Sequence, residues 1–340
     1  MKTIKLFVPG RVSLLGGLSD LVSPYLGQNK NLIPGTAISV CINKGIYATV
    51  SKSEFLEFEM ENRKLKINMN ENELEEQIKH NTFYSYICGV VLCMKKKYKI
   101  NGIKIKITKM DLPMKKGLAS SAAICVLTVK AFNQLYNLKL TKEQEKELAY
   151  QGEHLAGSEC GRLDQLSVSE EKMQKITFFE NHAEAEEIKI KEKLNMVIAD
   201  LKAFKDTKKI LTDLSGCFPF PHNKEEEIVH EILGLKNKEL VEEAKRCIEN
   251  GDKPKLGKVL SEAQKLLDRA SIVCDELEAK VLHKVLEDEI IKKYSYGGKG
   301  IGSGGDGSVQ ILAKDKPAQS ILIEYFNNEL KMEAFGVDLF

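Results

Sequence analysis

The stretch that most constrains this chain runs from Pro113 to Ala123 and reads Pro-Met-Lys-Lys-Gly-Leu-Ala-Ser-Ser-Ala-Ala. Residues 102–109, which precede it, alternate apolar and polar side chains, and this period predicts a half-buried β-strand. Small and apolar residues follow the opening stretch and predict a helix. Gly117 permits a tight turn, and the hydroxyl group of Ser120 or Ser121 is suited to cap the helix. The stretch therefore predicts a strand, a glycine turn and a helix in succession.

A helix that starts in this way suits a phosphate group. Its first backbone N–H groups have no partner within the helix, and the positive end of the helix dipole points at the ligand. The stretch differs from the Walker phosphate loop, because no Lys-Ser or Lys-Thr pair follows Gly117. An ordinary loop-to-helix connection has the same pattern. Taken alone, the stretch leaves both alternatives open.

The bulk composition excludes several classes of partner. The 340 residues suffice for two modest domains or one large one. The 51 basic and 49 acidic residues give a net charge of +2, which provides no field to attract nucleic acid or a membrane surface. No run approaches the roughly 18 apolar residues of a membrane span. The amino-terminal residues are too poor in apolar side chains for a signal peptide, and we therefore expect a cytoplasmic protein.

The eight cysteines are dispersed and include no C-x-x-C pair. We expect them to be reduced thiols of a cytoplasmic protein, and we expect no zinc site. Their positions are Cys41, Cys88, Cys93, Cys125, Cys160, Cys217, Cys247 and Cys274.

Strands and turns are predicted near the amino terminus. Ile4–Val8 is apolar and precedes Pro9-Gly10, which predicts a short strand that ends in a turn. Ile38–Lys52 is rich in β-branched residues and is interrupted by Asn-Lys-Gly, which predicts two strands joined by a turn. Between these segments, Gly16-Gly17 permits a close approach of the backbone.

Two carboxylates follow the helix that starts in the opening stretch. Thr141 and Gln144 form a capping-box pattern, which predicts a helix that continues to about residue 155. Glu153 lies near the end of this helix, and Asp164 lies beyond a glycine-containing loop. The two carboxylates could converge on a metal ion and a reacting hydroxyl group. Solvated charges on either side of a loop would give the same sequence.

The segment Gly297–Gly307 is the most glycine-dense part of the chain. A loop with this many glycines costs conformational entropy, and it indicates that another group approaches the backbone closely. A flexible linker is the alternative, but linkers seldom lie directly between a helix and an apolar strand. The apolar run Ser308–Ala313 predicts that strand.

Three of these segments, in this order, resemble motifs of the GHMP kinase superfamily. Val8–Asp20 is similar to the Pro-Gly-Arg…Gly-Glu-His-x-Asp motif, and Pro113–Ala123 is close to the Gly-Leu-Gly-Ser-Ser-Ala phosphate loop. Gly298–Gly307 is similar to the carboxy-terminal glycine-rich loop. The segment Cys160–Gln165 looks like the galactokinase and arabinokinase branch more than the mevalonate kinase branch.

The resemblance implies an α+β fold in two domains. Residues 1–190 would form the amino-terminal ATP-binding domain, similar to ribosomal protein S5 domain 2. Residues 191–340 would form a ferredoxin-like carboxy-terminal domain. The active site would lie in the cleft between the two domains.

The resemblance also implies an ATP- and Mg²⁺-dependent kinase and assigns its site residues. Asp164 would orient or deprotonate the attacking hydroxyl group, and Arg11 would stabilise Asp164 and the transferred phosphoryl group. Mg²⁺ would be held by Glu153 and Ser121, with Ser120 as the alternative to Ser121. The nucleotide-binding residues would be Lys116, Gly117, Leu118, Ala119, Ser120, Ser121, Ala122, Gly304 and Gly305. The substrate-binding residues would be Gly17, Asp20, Gly161 and Asp164.

The acceptor implied by the resemblance is a sugar or a sugar acid. Galactokinases have Glu-His where this chain has Gly17-Leu18, so the identity of the sugar is left open. Mevalonate or another small alcohol is one alternative acceptor. A non-catalytic sugar and ATP sensor is a second alternative, although the positions that an active kinase needs are all filled. No nucleic-acid or membrane partner is expected, and the sequence does not predict the oligomeric state.

Overall fold

A computed structural model describes residues 3–61, 63–80, 82–112, 117–158, 160–170 and 172–340. By its internal contacts the chain divides into two compact units. The first unit comprises Met1–Arg11 and Asn43–Glu171, and the second comprises Val12–Ile42 and Lys172–Phe340. The domain boundary between residues 190 and 191 stays a prediction.

Two long strands contribute residues to both units. They are β1 (Thr3–Leu15) and β2 (Thr36–Lys52). The other strands of the first unit are β3 (Leu56–Met60), β4 (Arg63–Ile67) and β5 (Ile103–Met110). Strand β3 pairs antiparallel with β4 and parallel with β5, and β5 pairs antiparallel with the second half of β2. The alternating strand predicted before the opening stretch is therefore confirmed as β5.

The described residues of the first unit form five helices. They are α1 (Glu71–Lys79), α2 (Phe83–Lys97), α3 (Ser120–Tyr136), α4 (Lys142–Leu155) and the short α5 (Leu163–Ser167). Helix α3 is buried along most of its length, since small and apolar side chains leave little surface to solvate. The capping box predicted for α4 is confirmed: the Thr141 hydroxyl accepts from the N–H of Gln144, and the Gln144 side chain accepts from the N–H of Thr141.

Helices α2 and α4 cross at two glycines. A Cβ atom on Gly89 would lie 2.2 Å from the carbonyl oxygen of Gly152, and one on Gly152 would lie 2.6 Å from the Cα atom of Val90. Only glycine permits this backbone approach. Because Gly152 immediately precedes Glu153, the crossing also fixes the position of that carboxylate.

The second unit contains a four-stranded antiparallel sheet in the order β11 (Ala334–Leu339), β8 (Leu194–Asp200), β10 (Ser308–Ala313) and β9 (Ser295–Gly300). Its two central strands are buried almost throughout, which explains why most of their residues are apolar. The unit also contains β6 (Gln174–Phe178) and β7 (Ala183–Glu187). Its helices are α6 (Thr207–Ser215), α7 (Lys224–Glu231), α8 (Asn237–Asn250), α9 (Lys253–Asp268), α10 (Lys280–Glu287), α11 (Glu289–Tyr294) and α12 (Lys316–Asn328).

Two turns predicted near the amino terminus are wrong. Strand β1 continues through Pro9-Gly10, and strand β2 continues through Asn43-Lys-Gly45. At both glycines another segment of the backbone approaches closely, and neither glycine forms a turn. A Cβ atom on Gly10 would lie 2.8 Å from the carbonyl oxygen of Leu118, and one on Gly45 would lie 2.3 Å from that of Val8.

The α+β fold class predicted from the sequence is confirmed. In the part of the chain that the structure describes, no helix has the length and apolar character needed to span a bilayer.

We predict that Gly152→Ala destabilises the protein by about 1–3 kcal/mol, since the added methyl group overlaps the backbone of α2. Gly216→Ala is the matched control. Gly216 has a helical backbone with φ −60°, and a Cβ atom there meets its nearest neighbours at 3.4 Å. Chemical denaturation monitored by circular dichroism measures both free energies of unfolding. Equal values for the two variants would contradict the role of the glycine crossing.

Candidate active site

The opening stretch forms a left-handed turn that leads into α3. Gly117 has φ 73° and Ala119 has φ 61°. Ala119 is the residue before the first turn of α3, and no side chain caps this end. The prediction that Ser120 or Ser121 caps the helix is therefore wrong, because both serines are already helical residues. No capping side chain accepts from the backbone N–H groups at this end of α3. These N–H groups are therefore suited to bind a ligand.

Arg11 connects β1, the turn and α5. Its backbone N–H donates to the carbonyl oxygen of Leu118 at 3.2 Å. Its Nη1 donates to the carbonyl oxygen of Gly117 at 2.5 Å. Its Nε donates to Oδ1 of Asp164 at 2.9 Å, and Nη2 forms a second ion-pair contact with the same oxygen. Both bonds go to Oδ1, so Arg11 does not engage Oδ2 of Asp164.

Burial differs between the two members of this ion pair. The side chain of Arg11 is 5% exposed, whereas that of Asp164 is 23% exposed. A buried guanidinium group needs an anionic partner, because an unpaired buried charge is strongly unfavourable. The Asp164 carboxylate supplies this charge and remains accessible to a small molecule.

Glu153 is the second acidic group of the site and lies near the end of α4, where the protein encloses it. Its Oε2 accepts from Nε2 of Gln165 at 2.6 Å, and its Oε1 accepts from the Ser158 hydroxyl at 3.5 Å. The Ser121 hydroxyl is also a hydrogen-bond partner. Burial and, to a smaller extent, the negative charge of Asp164 raise the pKa of Glu153, whereas the three hydrogen bonds lower it, and the resulting pKa is about 7. A cation beside Glu153 would favour the ionised carboxylate.

The first unit thus brings together five of the predicted residues, although they are far apart in sequence. These residues are Arg11, Gly117, Ser121, Glu153 and Asp164. Leu118, Ala119, Ser120 and Ala122 lie in the same turn and helix start, and Gly161 lies in the loop before α5. Lys116 and Pro113, which were predicted to belong to this stretch, lie outside the described residues. The roles of all these residues stay predictions.

Four other predicted residues belong to the second unit, where two of the glycine-containing segments meet. A Cβ atom on Gly17 would lie 2.8 Å from the carbonyl oxygen of Gly302. Gly304 and Gly305 have φ values of 80° and 65°. Asp20 is buried in the first turn of a 3₁₀ helix. The unit therefore places Gly17 next to the glycine-rich turn, a contact that the sequence did not predict.

Sequence reasoning assigned no role to Gln165. The residue follows Asp164 directly and is 1% exposed. Its contact with Glu153 joins α5 to α4. Its position beside a predicted catalytic carboxylate was the available signal, but only the tertiary structure shows that its amide faces the other carboxylate.

A cavity of about 340 Å³ lies in the second unit between α9, α10, α11 and β9. Its lining includes Gln264, Asp268, His283 and Gly297. None of the predicted site residues lines it. The cavity is therefore not part of the predicted site.

Residues 85–170 match the family model described as "GHMP kinases N terminal domain". The galactokinase of Thermotoga maritima is 24% identical over 361 residues, which cover 99% of this chain and 96% of the relative. The galactokinase of Pyrococcus furiosus is 26% identical over 360 residues, which cover 96% of this chain and 94% of the relative.

Solved structures show the same fold. Galactokinase of Lactococcus lactis, solved with galactose, superposes with a TM-score of 0.76 at 16% identity and covers 99% of this chain and 94% of its own. The mevalonate kinase of Methanococcus jannaschii superposes with a TM-score of 0.69 at 19% identity. The match covers 100% of this chain and 99% of the mevalonate kinase chain. Together with the family model, these matches confirm the resemblance to the GHMP kinase superfamily.

We predict that Glu153→Gln stabilises the protein at high pH when no divalent cation is present. In the unfolded chain the carboxyl group ionises near its ordinary pKa of 4.5, whereas in the folded protein it ionises near 7. The raised pKa therefore stabilises the folded state fully below pH 4.5, and this stabilisation is lost as the pH rises through 7. The side chain of Glu153→Gln does not ionise, so the variant avoids this loss of folding free energy, which we expect to amount to about 1–3 kcal/mol at pH 8.

Thermal melts in EDTA at pH 5 and pH 8 test this expectation. Glu143→Gln is the control, because Glu143 lies on the exposed face of the same helix with a side chain that is 78% exposed. A Tm of Glu153→Gln at pH 8 no higher than that of the unaltered protein would refute the electrostatic interpretation.

Proposed function

We propose that this chain, a member of the GHMP kinase superfamily, transfers the γ-phosphate of ATP to a hydroxyl group of a sugar or sugar acid. The observation that carries the proposal is the ion pair between Arg11 and Asp164, which lies against the turn at Gly117. An accessible carboxylate, a buried guanidinium group and an uncapped helix start are suited to orient a hydroxyl group, stabilise negative charge and bind a phosphate, which are the tasks of phosphoryl transfer.

The residues of the first unit fit ATP and Mg²⁺. The start of α3 lacks a side-chain cap, so its N–H groups suit a phosphate. The Glu153 carboxylate is buried among hydrogen-bond donors and needs a positive charge to be stable in its ionised form. Together with the Ser121 hydroxyl it offers hard oxygen ligands, which Mg²⁺ prefers. Ser121 and Glu153 would hold the cation, which supplies charge neutralisation for the phosphate oxygens.

Asp164 acts on the acceptor hydroxyl group. Arg11 binds Oδ1 and so fixes the carboxylate in one orientation, while Oδ2 remains available to accept the hydroxyl proton. The same guanidinium group binds the carbonyl oxygen of Gly117 and thereby holds the phosphate turn against the base. Positioning of this kind, with electrostatic stabilisation, accounts for most of the catalysis of phosphoryl transfer.

The galactokinase relatives support a sugar as the acceptor. The substrate-binding role predicted for Gly17, Asp20 and Gly161 and the nucleotide-binding role predicted for Gly304 and Gly305 are part of this proposal. Asp20 would accept hydrogen bonds from sugar hydroxyl groups. This chain has Gly17-Leu18 where galactokinases have a Glu-His pair. We therefore do not restrict the proposed acceptor to galactose.

We predict that Asp164→Asn lowers kcat by about 10²- to 10⁴-fold, the range that a positioned general base contributes. The amide keeps the size of the side chain and an oxygen that accepts from Arg11, but it cannot take the hydroxyl proton. ATP affinity, measured by calorimetry, should change by no more than a few-fold. Glu170→Gln is the control, because Glu170 is a carboxylate of the same unit that pairs with Lys146 at 2.5 Å. Near-normal turnover in Asp164→Asn would overturn the assignment of the base.

A panel of monosaccharides, uronic acids and mevalonate tests the acceptor class. We expect the highest kcat/KM with a monosaccharide or uronic acid, measured by coupled detection of ADP. A preference for mevalonate would favour the small-alcohol alternative. Retained ATP binding with no turnover on any acceptor would favour the sensor.

A further inference from the structure

Gln165 has an unusual hydrogen-bonding state for a buried amide. Gln165 is 1% exposed, and its Nε2 donates to Oε2 of Glu153 at 2.6 Å. Its Oε1 is buried and has no hydrogen-bond partner among the described residues. A buried carbonyl oxygen without a donor is unfavourable and is rare in folded proteins. The missing donor is therefore expected to come from a ligand.

The NH₂ group of Gln165 faces Glu153 in the structure. This orientation suits the ionised carboxylate that a bound cation would favour, since an ionised carboxylate only accepts hydrogen bonds. The opposite orientation would place two oxygen atoms against each other. Consequently Oε1 is the atom of the amide that is left for another donor.

The neighbours of Gln165 hold this arrangement in place. Asp164 precedes it on α5 and is bound by Arg11. Arg162, just before α5, pairs with Glu147 on α4, and its guanidinium group lies 4.0 Å from the ring centre of Tyr150 on the same helix. Helix α5 is thus attached to α4 at both Glu147 and Glu153. A short helix held at two points gives the amide little freedom to turn away.

We propose that Gln165 is a positioning residue for the divalent cation of this site, a role that rests on the proposed kinase function. Its Nε2 would hold the Glu153 carboxylate in the orientation that binds the cation. Its Oε1 would accept a hydrogen bond from one of the water molecules that Mg²⁺ usually keeps in proteins. The hydrogen-bond donor for Oε1 would therefore bind together with the metal ion.

The test measures how strongly Mg²⁺ and a nucleotide support each other's binding. The affinity for a non-hydrolysable ATP analogue is measured by calorimetry in EDTA and again in excess MgCl₂, and the ratio of the two dissociation constants is the coupling factor. We expect Gln165→Met, which has similar size and no hydrogen bonds, to reduce this factor by about 10- to 100-fold, as loss of a group that orients a metal ligand does. The affinity in EDTA should stay within a few-fold of the unaltered protein. A residue that only packs in the core would not change the Mg²⁺ coupling selectively.

Asn195→Leu is the matched control. Asn195 lies on β8 and is 6% exposed, and its Nδ2 donates to Oδ1 of Asp338 at 3.1 Å, so the substitution removes a buried amide–carboxylate bond that belongs to the second unit. We expect this variant to keep the full coupling factor. Gln165→Asn is a milder second variant, since its amide is one methylene shorter and cannot reach Glu153 in the same way. We expect it to lose about 10-fold in coupling, within the same range.

The outcomes separate this inference from the proposed function. If the unaltered protein binds the analogue and shows Mg²⁺ coupling, but Gln165→Asn or a folded Gln165→Met retains that coupling, the role of Gln165 is overturned. If the unaltered protein binds no ATP analogue under either condition, the kinase proposal itself fails. Circular dichroism of each variant establishes that it is folded before its coupling factor is compared.

Discussion

The buried guanidinium group of Arg11 is the constraint on which the first unit's site depends. It binds the carbonyl oxygen of Gly117 and the carboxylate of Asp164, so one side chain fixes both the turn before α3 and the start of α5. A cation this deeply buried is stable only when its donors are paired. The same requirement that stabilises Arg11 therefore holds the two segments together, and the base and phosphate turn of the proposed reaction are positioned as a result.

A second constraint is the crossing of α2 and α4 at Gly89 and Gly152. It brings Glu153 into an enclosed position, where burial raises the pKa of its carboxyl group. An acidic group in such a place reduces the stability of the ligand-free protein at neutral pH. In the proposed kinase, a bound cation offsets this cost, so the site is less stable when empty than when occupied. Stability and function oppose each other at Glu153, as is common at active sites.

Much of the fold could be predicted from periodicity and capping signals. The strand before the opening stretch, helix α3 and the capping box of α4 are local patterns, and all are confirmed. The two turns at Pro9-Gly10 and Asn43–Gly45 were wrong for a common reason. Glycine marks both turns and places where another backbone approaches closely, and the sequence does not distinguish the two uses. The cap predicted at Ser120 or Ser121 failed because Ala119 adopts the left-handed conformation that ends the turn one residue earlier than a serine cap requires.

The sequence by itself determined the order of three glycine-containing motifs and the spacing of Glu153 and Asp164, because these depend only on residue type and position. The α+β class was implied by the resemblance that those motifs carry. It also indicated which side chains are chemically suited to phosphate, metal and hydroxyl groups. Only the tertiary structure decided which of them meet. It paired Arg11 with Asp164 across 153 positions, and it turned the amide of Gln165 towards Glu153. Contacts between distant residues depend on how helices and strands pack, and no local pattern encodes that geometry.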